Sequence, residues 1–149
     1  MLLRADLAEL WNQRSVWHAV QVVKHEYKTQ HPKKYIGTEL EAENADYPRK
    51  NWSSLVIWNC GHYMNGPKSL SPGYVRSTPI ADLHRFSWLQ DKYIGEIDPS
   101  WNHLVGEQPE DPNTKLAHYT LGIPGFTHYQ HEEFAREWKD SLRQATKGI

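Results

Sequence analysis

The 149-residue chain has one cysteine, Cys60. A lone cysteine excludes an internal disulfide and any cysteine-rich zinc site, so the fold must rest on packing alone. Cys60 itself is expected to be an inert, buried thiol. Long apolar runs are missing as well. The stretch from Leu55 to Trp58 falls far short of the ~20 residues a membrane helix needs, and Met1 leads into Arg4 and Asp6 rather than a signal-peptide core. The expectation is therefore a cytoplasmic chain with no membrane span. Nor is there an excess of either charge: 17 Lys and Arg stand against 18 Asp and Glu, a formal net charge of -1. No basic field exists to hold a nucleic acid and no polybasic stretch to hold a membrane, which makes polyanion binding a poor first reading.

What the chain does have is aromatic rings with a polar edge. Seven Trp and eight Tyr outnumber three Phe. Such rings suit a surface that stacks on sugars while an N–H or O–H bonds to hydroxyls, and they equally suit a core. A chain of this length buries roughly 68–70% of its unfolded surface, so one domain over residues 1–149 is the default.

Neither a repeat nor a low-complexity stretch interrupts the sequence. Asp6 is positioned to cap a helix through about Gln13, with Leu7, Leu10 and Trp11 on one face. Ser15 to Tyr27 carries Val16, Val20, Val22 and Val23 and reads as a strand. Lys28 to Asp46 is charged, contains Pro32 and Gly37, and has no sustained period. It reads as a long loop, with a lid or binding element and disorder as competing roles. Ser53 to Trp58 is nearly uninterrupted apolar and reads as the central strand, ended by Asn59, Cys60 and Gly61. Ser71-Pro72 opens a short helix, Asp82 is a cap for another to about Gln90, and Tyr93 to Ile97 is a small strand. Pro109 to Asn113 is a loop, Leu116 to Thr120 a short strand. A last helix from about Glu132 to Ala145 repeats Phe134, Trp138 and Leu142 every four residues. This alternation predicts an α/β layer architecture with a thin sheet.

Three segments put polar groups at the ends of apolar strands, where open α/β sheets bind ligands. In Tyr47 to Ser54, Arg49 and Lys50 have the charge to clamp phosphate, Ser53 and Ser54 the hydroxyls to bond a sugar, and Trp52 a stacking face; a solvated strand entry is the plainer reading. In Leu83 to Leu89, His84 and Arg85 would face a cleft while Phe86 and Leu89 enter the core, and Trp101-Asn102-His103 follows. In Ala117 to Phe126, His118 ends a strand before a loop with Gly122 and Gly125. Neutral imidazole is a good ligand for a divalent metal, and glycines let backbone amides approach phosphate oxygens. A structural histidine is the alternative.

The succession YPRKNWSSLVIWN, LHRFSWL, WNHL and AHYTLGIPGF resembles the C-terminal half of bacterial GT-A-type glycosyltransferases, near the retaining glycogenin-like and lipopolysaccharide-galactosyltransferase-like enzymes. The likeness spans about Asp6 to Trp138 and is most specific from Tyr47 to His62. It implies a partial GT-A fold, a small mixed sheet flanked by helices. It also implies transfer of a sugar from a nucleotide-diphosphate donor to a glycan or other acceptor, with Mn²⁺ or Mg²⁺ in the complete enzyme. His118 corresponds to the family's metal-binding histidine, and Gly122 with Gly125 to the loop around the diphosphate. Ser53 and Ser54 correspond to the pair beside the donor sugar, with Asn59 closing that strand. His84 and Arg85 fall where relatives carry acidic and amide residues near the transferred sugar. The groups around Trp52, Trp101 and Asn102 would orient the acceptor, with Asn51 among the substrate-binding residues.

The pattern departs from the family at Pro124, where relatives have a phosphate-binding lysine, and at Trp52, where they often have asparagine. Arg49 and Lys50 are the cations available in its place. The chain contains no Asp-x-Asp, the family's metal motif, which relatives carry just ahead of a helix like that after Asp6. The expectation is thus a chain lacking its nucleotide-binding N-terminal half, weak in metal binding, inactive alone, and either self-associating or completed by that half in trans. A non-catalytic carbohydrate-binding module is the alternative. A metal-dependent hydrolase is weaker, because no two of the nine histidines form a ligand motif with nearby carboxylates.

Overall fold

The computed structural model describes residues 1–66 and 70–147. In chain order the regular elements are β1 (Leu2–Leu3), α1 (Leu7–Trp11), β2 (Val20–Val22), β3 (Lys33–Lys34), β4 (Ala42–Glu43) and β5 (Val56–Trp58). They continue with α2 (Pro72–Ser77), α3 (Ile80–His84), β6 (Ile94–Glu96), β7 (His103–Leu104), β8 (Leu116–His118) and α4 (Ala135–Ala145). The protein is mixed α/β, with small mixed sheets and few helices. Its residues gather into two compact units, one of Met1–Ala5, Tyr27–Asp46 and Ser100–Ile149, the other of Asp6–Glu26 and Tyr47–Pro99.

The first unit has the strand order β1-β8-β7. β1 runs antiparallel to β8 with Leu2 opposite Ala117, and β7 runs parallel to β8 with Leu104 opposite His118. Leu2, Val105, Ala117 and Tyr119 form its buried cluster, closed by Ile123, Phe134 and Trp138. Trp138 therefore anchors α4 as its four-residue spacing predicts, whereas Leu142 remains 48% exposed. Phe134 is not a helical residue but the left-handed cap ahead of Ala135, with φ 58°, so α4 starts later than Glu132. Lys28 to Asp46 is held in place rather than disordered. Buried Glu107 accepts from Gln30 N (2.7 Å) and Asn44 Nδ2 (2.6 Å), and Tyr35 N donates to Leu121 O (2.6 Å). Within that segment β3 and β4 pair as a two-residue antiparallel ladder.

In the second unit the order is β5-β2-β6, with β2 antiparallel to β5 and parallel to β6. The central strand is thus β2, not the Ser53 to Trp58 segment. Val20, Gln21 and Val22 are all buried, as a strand flanked on both sides requires, while β5 has one neighbour and Trp58 is 44% exposed. Ser53 and Ser54 belong to a 3-10 turn, Trp52–Ser54, ahead of β5. Ala19, Val20, Val22, Phe86, Leu89 and Ile94 make the core. Asp6 caps α1 by accepting from Ala8 N, and Ser71 caps α2 by accepting from Tyr74 N. Asp82 is no cap. It lies inside α3, which begins after Pro79 and stops at His84, because Phe86 takes φ 54°, a left-handed conformation incompatible with continuing the helix to Gln90. Cys60 is exposed, in the turn after β5, so it is not the buried thiol expected.

Candidate functional site

In the first unit, β8 ends on His118. Its Nδ1 lies 3.1 Å from Asn102 Oδ1. An amide oxygen only accepts, so Nδ1 carries the proton and Nε2 keeps its lone pair. Burial pushes the imidazole pKa down to about 4, with the positive charge of the Met1 amino group adding to the effect. His118 is thus a neutral imidazole of fixed tautomer near neutral pH, with its ring oriented by a hydrogen bond on the far nitrogen. That is the arrangement in which histidine ligates metals. Because Leu2 faces Ala117 and Leu3 faces Leu116 in antiparallel register, the position ahead of Leu2 comes opposite His118. Among the described residues no group of three or more His, Cys, Asp or Glu gathers to hold a metal. Among the described residues the ligand placed here is the single Nε2 of His118.

The loop after His118 is tightly packed. A Cβ on Gly122 would overlap the Tyr129 ring, and one on Gly125 would stand 3.1 Å from the Trp138 ring. Both glycines make room for aromatic side chains. Tyr129 in turn accepts at its hydroxyl from Ile36 N (2.9 Å), which ties the long segment to this loop. Trp101 and Asn102 are fully buried. Trp101 thus has no face open to a sugar, contrary to the acceptor-orienting role expected, and Asn102 positions His118 instead.

The second unit holds Arg49, Lys50, Asn51, Trp52, Ser53, Ser54, Asn59, His84 and Arg85. Several of these expected ligand-binding groups are occupied by the protein. Arg49 donates to Asp91 and to the Arg85 carbonyl. Lys50 is 7% exposed and its Nζ sits 5.8 Å from the Tyr47 ring, so the phosphate clamp expected of this cation pair is absent from the fold as it stands. Asn51 has φ 63° and starts the turn, where Ser54 Oγ donates to its carbonyl (2.6 Å). Trp52 Nε1 donates to His25 O (3.1 Å), and Asn59 Nδ2 to Val16 O (3.2 Å). Arg85 lies beside the Tyr47 ring at 5.8 Å.

One pair is brought together as a site. Ser53 Oγ and His84 Nδ1 are 2.8 Å apart, at the edge of a cleft of about 550 Å³. Trp58 and Trp88, both lining it, have nearly parallel rings 4° apart in plane with centroids at 6.2 Å. Sequence reasoning missed these two rings and Asn65, which shares the cleft. The signal was present in Val56 and Trp58, which share one face of β5 by the two-residue period of a strand. Nothing in the sequence brings Trp88 to that face.

Compared with known proteins, the chain is 40% identical over 151 residues to the protein named Protein CDI of Arabidopsis thaliana, an alignment covering 98% of this chain and 56% of that protein. The chain thus spans little more than half the length of that relative. No protein-family model matches the chain, and no solved structure matches it.

Proposed function

We propose that this chain is the C-terminal part of a GT-A-type glycosyltransferase, which moves a sugar from a nucleotide-diphosphate donor to a glycan or other acceptor. The observation carrying the reading is His118. Its imidazole is neutral, its tautomer is set by Asn102, and its register partner is the position ahead of Leu2. In this reading residues upstream of Leu2 bring the carboxylates of an Asp-x-Asp motif to His118, as one chain or from a partner. The mixed α/β architecture and the greater length of the Arabidopsis relative are compatible with it.

Bound Mn²⁺ or Mg²⁺ would supply charge to stabilise the departing diphosphate. The chain's own contribution is the oriented Nε2 lone pair of His118 and the closely packed loop from Leu121 to Phe126 that follows it. Without the upstream carboxylates the imidazole alone is a poor site for a hard cation, so the isolated chain is expected to transfer no sugar.

Calorimetric titration with UDP and Mn²⁺ tests the proposal on two preparations. One is this chain; the other is the chain extended by any coding sequence that reads in frame ahead of Met1. The extended protein is expected to bind UDP in a Mn²⁺-dependent way that His118→Ala abolishes. Indifference of both preparations to UDP and Mn²⁺ would leave a glycan-binding module and defeat the transferase reading.

A further inference from the structure

The cleft between β5 and the helices of the second unit is built for a ligand of a definable kind. Its volume of about 550 Å³ lies within the roughly 300–1,000 Å³ of small-ligand sites. Among the described residues its lining has no Asp, Glu, Lys or Arg. Its walls carry the parallel rings of Trp58 and Trp88, and Trp58 is 44% exposed. Two lining residues also carry stranded polar atoms. Asn65 spends Nδ2 on Ala19 O (2.6 Å) and Asn59 O (3.0 Å), which leaves Oδ1 buried and unpaired. Trp88 Nε1–H is likewise buried with no acceptor. Buried polar atoms are nearly always paired, so these two lining residues carry one orphaned donor and one orphaned acceptor, which a partner able to accept and donate would satisfy. Ser53 and His84, hydrogen-bonded to each other at the edge, add a second such pair.

We propose that this cleft binds a neutral saccharide, with a pyranose ring stacked on the Trp58 and Trp88 indoles and its hydroxyls bonded to Asn65, Trp88 Nε1 and the Ser53–His84 pair. A hydroxyl is the group that meets all these demands at once, because it donates and accepts, carries no charge, and comes attached to C–H faces that pack on indole. The assignment of that saccharide as the acceptor rests on the transferase reading. The binding itself rests on the cleft alone.

The test is titration of the nitrogen-labelled 149-residue chain with maltopentaose, cellopentaose, xylopentaose and mannopentaose, read by NMR at the indole N–H signals. At least one oligosaccharide is expected to shift the Trp58 and Trp88 indole signals saturably below about 10 mM, an affinity ordinary for a small neutral ligand. Trp88→Phe, which keeps a ring and removes the N–H, and Ser53→Ala, which removes an exposed-edge hydroxyl, are each expected to weaken binding about tenfold, the effect of one lost hydrogen bond. The variants' backbone amide spectra report whether the fold survives. No shift with any of the four sugars overturns the proposal, as does a shift that Trp88→Phe and Ser53→Ala leave unchanged in a folded chain. Saccharide binding at these indoles in a protein indifferent to UDP and Mn²⁺ upholds the cleft and defeats the transferase reading. UDP and Mn²⁺ binding without any saccharide response does the reverse.

Discussion

Acid should unfold this chain partly through His118, and the size of the effect follows from its surroundings. Burial holds the folded imidazole at about 4, against 6.5 for the exposed ring of the unfolded chain. Between those values the unfolded state binds a proton that the folded state refuses, so stability is full above pH 6.5 and falls as pH is lowered toward 4. At about 1.4 kcal/mol per unit, the interval corresponds to roughly 3 kcal/mol as an upper figure, the Met1 charge included. That is a large share of the 5–15 kcal/mol typical of a domain. The assay is urea denaturation of the native chain and of His118→Gln at a series of pH values from about 7 to 4. Glutamine keeps an N–H for Asn102 and cannot titrate, so the difference between the two curves isolates the imidazole. The native chain is expected to lose about 2–3 kcal/mol relative to the variant across that range. Parallel curves would refute the neutral, desolvated His118 on which the site depends.

Other perturbations follow from the packing. Gly122→Ala should cost about 1–3 kcal/mol, because its methyl overlaps the Tyr129 ring in a filled interior, and thermal melting checks it. Arg4 donates to Glu137 (2.8 Å) and Thr114 O (2.6 Å) and lies 3.8 Å over the Phe134 ring, so Arg4→Ala should lower stability to urea by about 2 kcal/mol. Arg4→Lys should recover little of it, since an ammonium cannot reproduce the fork. Cys60 is exposed and should react with one equivalent of a thiol reagent in the folded protein, rather than only after denaturation.

Local signals were legible in the sequence. Asp6 and Ser71-Pro72 mark helix starts because capping and a proline in the first turn act within a few residues. Ile94–Glu96, Leu116–His118 and most of α4 were likewise set by short apolar patterns. What the sequence concealed depends on partners distant along the chain. The run from Leu55 to Trp58 has the hydrophobicity of a central strand, yet β2 takes that place and leaves β5 with one neighbour. Left-handed Phe86 and Phe134 cut α3 and delay α4, and no local rule favours that conformation for phenylalanine. In the candidate sites, the pairing of Ser53 with His84 joins two residues already singled out, whereas the burial of Lys50, Trp101 and Asn102 depends on side chains far away in sequence. Trp58, Trp88 and Asn65 meet only through the fold, and composition gave no more than a surplus of indoles.

The central claim, that His118 Nε2 is a ligand awaiting carboxylates from upstream of Leu2, is tested most directly by paramagnetic broadening of histidine ring signals. Mn²⁺ and UDP are added to the chain extended by any residues encoded in frame ahead of Met1. The account predicts that the His118 ring broadens first among the nine histidines, and that an Asp-to-Asn change in an Asp-x-Asp motif of that extension abolishes the effect. Broadening centred on another histidine, or none at His118 while UDP binds, would contradict it.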